Sequence, residues 1–216
     1  MRIIFFKRGL LTPILFFILI FSQILFAEDT NTTIKKINEK IDIIKKASRL
    51  FNIDYKILCS IIYSERTLNF NWEDEALDII IAKSGLNSSI GFCQIKIKTA
   101  YWIENQLSDI TSVYYPGNNY QRIISISESK IEIIKKLEND TINILYAAAY
   151  LRIIISRWMK EDIFISDRPD ILGTLYSSGL FYSDGSERFP NNKPKSNHFG
   201  KRVIEIYKKL YSKYDL

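Results

Sequence analysis

The chain of 216 residues is 47% hydrophobic and 25% charged, with 30 basic side chains, 24 acidic ones and a single histidine. Three of the basic residues precede position 28, leaving 27 against 24 on the remaining 189, a net +3. That is too small and too evenly spread for a nucleic-acid surface, although it is compatible with an anionic wall polymer. No His/Cys/Asp/Glu cluster has metal-ligand spacing and no glycine-rich phosphate loop occurs, so no metal or other cofactor is expected.

Arg2, Lys7 and Arg8 lead into an apolar stretch, residues 9–26, that ends at Ala27 before Glu28 and Asp29. A basic start, a long apolar run and a small residue at its end predict a secretory signal over 1–27. Leu25 departs from the A-x-A cleavage pattern, and 18 apolar residues can span a bilayer. The alternative is therefore a retained N-terminal anchor in the inner membrane. Either way the chain is expected to be exported, to the periplasm or cell envelope. No cysteine follows the apolar run, which argues against a lipid anchor.

Beyond the signal, helices dominate. Ile34, Ile37, Ile41 and Ile44 recur at helical spacing and predict one helix to about Phe51, an N-terminal segment (28–51) packing on the domain after it (52–216). Asn52 ends it, and Asp54 is placed to cap a helix carrying Ile57, Leu58, Ile61, Ile62 and finally Glu65. A helix over 72–83 is opened by Glu73, Asp74 and Glu75 and closed by Gly85. The stretch 86–96 reads as a loop or small hairpin, and 98–106 as helix. Residues 114–120 form a loop. A helix over 130–137 should turn Ile131, Ile133 and Ile134 inward. Asp140 or Thr141 then caps a long helix over 142–159, containing Ala147, Ala148 and Ala149. Pro169 starts a helix ending near Gly179, a polar loop comes next, and a last helix spans 199–211.

Glu65 is the leading functional candidate. A carboxylic acid at the buried end of an apolar helix loses solvation, and its pKa rises toward the range of a general acid. An ordinary helix-end glutamate is solvated, so the weight of the assignment rests on two downstream stretches. These are Gly91-Phe92-Cys93-Gln94-Ile95 and Leu175-Tyr176-Ser177-Ser178-Gly179. Cys59 and Cys93 are the two cysteines; in an exported chain they permit a disulfide, and two free core thiols are the other reading. His198, in a polar loop, is not placed to serve a catalytic thiol.

In order along the chain, Ser64-Glu65-Arg66, Gly91-Phe92-Cys93-Gln94-Ile95, Asn143-Ile144 through Tyr150-Leu151, and Leu175-Tyr176-Ser177-Ser178-Gly179 resemble the motifs of the lytic transglycosylase branch of the lysozyme-like superfamily. Thr99-Ala100 and the closing stretch 200–207 add to the likeness, which covers about 52–207. The resemblance implies a mainly α, lysozyme-like fold with a minimal β-hairpin or loop beside the cleft, acting on peptidoglycan glycan strands.

In that scheme Glu65 protonates the glycosidic oxygen between N-acetylmuramic acid and N-acetylglucosamine. It then takes the proton of the muramyl 6-hydroxyl, leaving a 1,6-anhydro end without a second carboxylate. The resemblance further implies that Tyr176 hydrogen-bonds Glu65, and that Gly91, Phe92, Gln94 and Ser177 line the sugar groove. Arg66, Cys93 and Ser177 depart from the family pattern. An Arg66 guanidinium beside Glu65 would depress its pKa, favouring an inactive glycan-binding or secretion-accessory protein on the same fold. A hydrolase of the muramidase kind would need a second carboxylate, for which Asp74 and Asp109 are the candidates. Expected partners are glycan strands and envelope or secretion-machine proteins, with membrane contact only through the N-terminal segment.

Overall fold

A computed structural model describes residues 28–68 and 89–213. Eight α-helices and one two-stranded antiparallel sheet make up the described residues. The predicted signal segment and the predicted 72–83 helix lie outside them. No described helix is long and apolar enough to cross a membrane.

The first predicted helix is two. Asp29 caps α1 (Thr30–Glu39), its carboxylate accepting the Asn31 and Thr32 amides at 2.9 and 3.1 Å. At Lys40 the backbone leaves helical geometry (φ −110°, ψ 9°), and α2 (Ile41–Leu50) sets off anew. The break lets one apolar stripe serve two surfaces. α1 lies on α3 (Tyr55–Leu68), whereas α2 reaches both α3 and the long central helix, α6 (Asp140–Met159). Ile37 and Ile44 are buried as expected, but Ile34 remains 42% exposed.

Asn52 takes a left-handed turn (φ 49°), and the Asp54 carboxylate accepts the Lys56 amide at 2.8 Å to start α3. The other Asp54 oxygen accepts the Tyr207 hydroxyl at 2.8 Å, tying the C-terminal helix to the same point. Ile57, Leu58, Ile61 and Ile62 are all buried. Each such side chain contributes about 1.5–3 kcal/mol to folding.

β1 (Ser89–Ile90) pairs with β2 (Ile95–Lys96), Ser89 opposite Lys96 and Ile90 opposite Ile95. α4 (Ile97–Ser108) begins directly after β2. α5 (Lys130–Glu138) buries Ile133, Ile134 and Leu137. Ile131, in its first turn and off that stripe, is exposed, against expectation. α6 is apolar on nearly every face because α2, α4, α5, α7 (Pro169–Ser178) and β2 surround it. Its cap is Asn139, whose side chain accepts the Ile142 amide at 3.1 Å, rather than Asp140 or Thr141. Asp140 is already helical and pairs instead with Lys40 at 2.6 Å. Ala147, Ala148 and Ala149 are fully buried.

α8 (His198–Lys213) lies on α7 and α3. A Cβ on Gly200 would stand 2.1 Å from the Asp170 carbonyl, so only glycine permits that helix contact. Two polar networks pin the long loops. Buried Glu104 accepts the Ser127 amide and hydroxyl at 2.7 and 2.8 Å, Lys136 at 3.2 Å, and the Tyr146 hydroxyl. Arg157, from α6, donates to Glu187 and Glu161 at 2.8 and 2.6 Å, fastening the loop after α7.

Candidate active site

Glu65 sits in the last turns of α3, where the apolar core ends. Its side chain keeps some contact with solvent, yet the protein around it strips most of its hydration. Desolvation raises its pKa from 4.5 to about 7, and only the charge of Lys96 on β2 opposes that rise. Above pH 5 an ordinary glutamate is ionised; this one keeps a proton to near neutrality.

Arg66 does not stand against it. The guanidinium is 2% exposed and donates to both Glu28 oxygens at 2.5 and 2.8 Å. It also lies over the Phe92 ring, 4.7 Å from the centroid. Glu28 is itself buried and further bound by Thr33 at 2.9 Å and by Lys36. Burial alone would raise the Glu28 carboxyl, but these partners outweigh it and hold it at about 2. Glu28 thus neutralises the one cation that chain order places next to Glu65.

The turn between the strands faces this helix end. Gly91 (φ 74°) and Gln94 (φ 54°) are both left-handed, and the Gln94 amide closes the turn on the Gly91 carbonyl at 3.0 Å. Asn143, fully buried on α6, braces it from below. Its oxygen accepts the Cys93 amide at 2.7 Å, and its nitrogen donates to the Ile90 and Leu137 carbonyls at 2.9 Å each. Glycine at 91 is required by this brace. An added Cβ would meet the Leu137 oxygen at 2.2 Å and the Asn143 amide nitrogen at 2.4 Å. The expectation that Gly91 lines the sugar groove is corrected: its close approach is to the protein interior.

Phe92 is corrected likewise. Only 4% exposed and packed beneath Arg66, it is a core residue and does not line a groove. Gln94 is half-buried at the turn, with its side-chain amide 3.4 Å from the Gly91 carbonyl. The expected Tyr176–Glu65 hydrogen bond is absent: the Tyr176 hydroxyl donates to the Cys93 carbonyl at 2.9 Å. Peptide-bond geometry in the turn directs that carbonyl toward α7, giving the phenol a nearer acceptor. The Arg66–Phe92 contact joins α3 to the turn and the Tyr176–Cys93 bond joins the turn to α7, and the Glu65 charge acts on both Cys93 and Tyr176. Ser177, on the last turn of α7, is exposed, donating to the Thr174 carbonyl at 3.2 Å and accepting from Asn197 at 3.1 Å.

Cys59 and Cys93 are free and buried, the second of the two readings open for them. Both are enclosed among apolar side chains, and burial pushes the Cys59 thiol up to about 12 and Cys93 well above its ordinary value. Of the two candidates for a second carboxylate, Asp109 caps an exposed turn, already accepting from the Thr111 amide and hydroxyl at 2.9 and 2.6 Å. Asp74 lies outside the described residues.

Next to Tyr176 lies a feature that periodicity does not reveal. Tyr150 stands 5.7 Å from Tyr176, and Trp102 is 6.0 Å from Tyr150 and 6.2 Å from Phe181. Trp102, Tyr150 and Phe181, with Lys98, Thr99 and Gly179, line an open cleft of about 240 Å³. Aromatic faces and a flanking hydroxyl and ammonium suit a sugar ring, whose axial C–H face is apolar and whose rim is polar. Their positions, 102, 150 and 181, are brought together only by the packing of α4, α6 and the loop after α7. No protein-family model matches the chain, and no curated protein is significantly similar to it.

Proposed function

We propose that this protein is an exported lytic transglycosylase of lysozyme-like fold that cleaves the glycan strands of peptidoglycan with Glu65 as its only acid and base. The observation that carries the reading is Glu65: a desolvated carboxyl with a pKa of about 7, whose charge acts on Cys93 in the hairpin turn and on Tyr176, a ring that packs 5.7 Å from Tyr150 of the aromatic cleft. Protonated, it donates to the glycosidic oxygen as the bond to C1 breaks. The neighbouring N-acetyl group supports the oxocarbenium-like centre. The resulting Glu65 carboxylate takes the proton of the muramyl 6-hydroxyl as that oxygen closes on C1. The glutamate ends the cycle protonated, no water is consumed and no cofactor is required. General acid catalysis of this kind is worth about 10²–10⁴ in rate.

The pairing of Arg66 with Glu28 supports this reading over an inactive binding module, because it leaves Lys96 as the one cation opposing the raised pKa of Glu65. Tyr176 then acts by holding the Cys93 carbonyl, and with it the turn, against α7.

Clearing of a purified peptidoglycan suspension tests the reading. Wild-type protein should clear it, with activity falling as pH rises through about 7, where the acid loses its proton. Glu65→Gln should be inactive across the range. Equal clearing by the variant would remove Glu65 from the chemistry.

A further inference from the structure

A second pocket, of about 300 Å³, opens on another side of α7. Helical spacing puts Ile171, Thr174 and Leu175 on one stripe, which floors this pocket, and Tyr176 on another. The opposite wall is the end of α6 and the loop after α7. Trp158, only 2% exposed, lines it, and its indole Nε1–H is buried with no acceptor. Arg188 lines it as well, stacked on Tyr182 with its guanidinium 3.8 Å from the ring centroid, and its Nε is also buried without a partner. Lys193 and Lys195 stand at the exposed rim, and none of the lining residues is acidic. Glu187, the acid next in sequence to Arg188, is taken by Arg157.

Three cations around one cavity, with no anion among the lining residues, call for a negatively charged ligand. The rest of the lining narrows the choice. Phe189, Pro194, Leu175 and Ile171 are apolar, so the ligand must bring a short aliphatic body with its charge, as a bare oxyanion does not.

We propose that this pocket binds the free carboxylate of a short peptide, with the Arg188 guanidinium as its chief partner, the Trp158 ring as an apolar wall, and Lys193 and Lys195 as the electrostatic rim. The choice of peptide rests on the peptidoglycan reading, whose glycan strands carry short stem peptides with free carboxylates. The anion site itself rests on the pocket alone. Occupied, it holds a stem peptide one helix away from the cleft that takes the sugars, so strands bearing peptides are held more firmly than bare glycan.

Calorimetric titration of the Glu65→Gln protein tests this without any turnover, so failure here is distinct from failure of the cleavage assay. The probe is the pentapeptide L-Ala-D-Glu-L-Lys-D-Ala-D-Ala, against the same peptide with both carboxylates amidated and against inorganic phosphate. The free acid should bind at least ten times more tightly than either control. Arg188→Gln should weaken binding by about tenfold or more, the usual worth of a charge-assisted hydrogen bond. Lys193→Gln with Lys195→Gln, both exposed and harmless to folding, should weaken it several-fold and flatten its salt dependence. No binding, equal binding of the amidated peptide or of phosphate, or affinity unmoved by both sets of variants would each overturn the proposal.

Discussion

Replacing Glu28 by Gln should destabilise the folded chain by about 3 kcal/mol at neutral pH, although the residue lies 37 positions before the candidate acid. The carboxylate is buried, receives two bonds from Arg66 and one each from Thr33 and Lys36, and is held at about 2 instead of 4.5. At about 1.4 kcal/mol per pH unit, that lowering corresponds to about 3 kcal/mol favouring the folded, ionised form. The independent cost of stripping one partner from a buried pair, about 3–5 kcal/mol, agrees. Here the orphan would be Arg66, almost wholly enclosed. For a domain of this size the loss should lower Tm by roughly 6–12 °C. Because the folded pKa is depressed, the stabilisation is complete above about pH 4.5 and disappears as pH falls through about 2. Thermal melts followed by circular dichroism at pH 7, 4 and 2.5 should therefore show a wide gap between wild type and Glu28→Gln that closes on acidification. Equal melting at pH 7, or a gap that persists unchanged to pH 2, would refute the reasoning.

Glu65→Gln should show the opposite pH dependence. A carboxyl raised to about 7 penalises the folded state once it must ionise, so wild-type stability is fullest below pH 4.5 and falls as pH rises through 7. With its partial solvent contact discounted, the variant should be about 1–2 kcal/mol more stable than wild type at pH 8 and equal to it at pH 4 in urea titrations; parallel curves would contradict the raised pKa. Gly91→Ala should cost more than about 4 kcal/mol, or prevent soluble folding, since its Cβ meets fixed backbone and the Asn143 brace at a positive φ. An unchanged urea midpoint would show the turn to be differently built. Neither cysteine should react with iodoacetamide at pH 8 in the native protein, and both should react after unfolding without reductant. Labelling that requires reductant would restore the disulfide.

Much of the helical order is legible in the sequence because apolar spacing and caps lie close together in the chain. Asp54 with Ile57, Leu58, Ile61 and Ile62 spells out a capped, buried helix, and the structure contains it. The break at Lys40 is not legible, since the isoleucine period runs straight through it and only the two packing partners on either side explain it. The cap of α6 falls one residue earlier than expected because Asn139, Asp140 and Thr141 are all competent, and the Lys40 ion pair that occupies Asp140 comes from a distant helix.

At the site, the raised pKa of Glu65 is legible from its place at the end of an apolar run. The fate of Arg66 is not, because its partner is 38 positions away. Gly91, Phe92 and Tyr176 have the residue types of a groove lining, whereas they build and brace the turn: side-chain type shows what a residue can bind, and packing decides what it does bind. The rings of Trp102, Tyr150 and Phe181 carry no common signal because they sit on three separate segments.

Mass spectrometry of the soluble products released from purified peptidoglycan tests the central claim most directly. Wild-type protein should release muropeptides ending in 1,6-anhydro-N-acetylmuramic acid, and Glu65→Gln should release none. Reducing-end products, or equal release by both proteins, would contradict a transglycosylase that works through Glu65 alone.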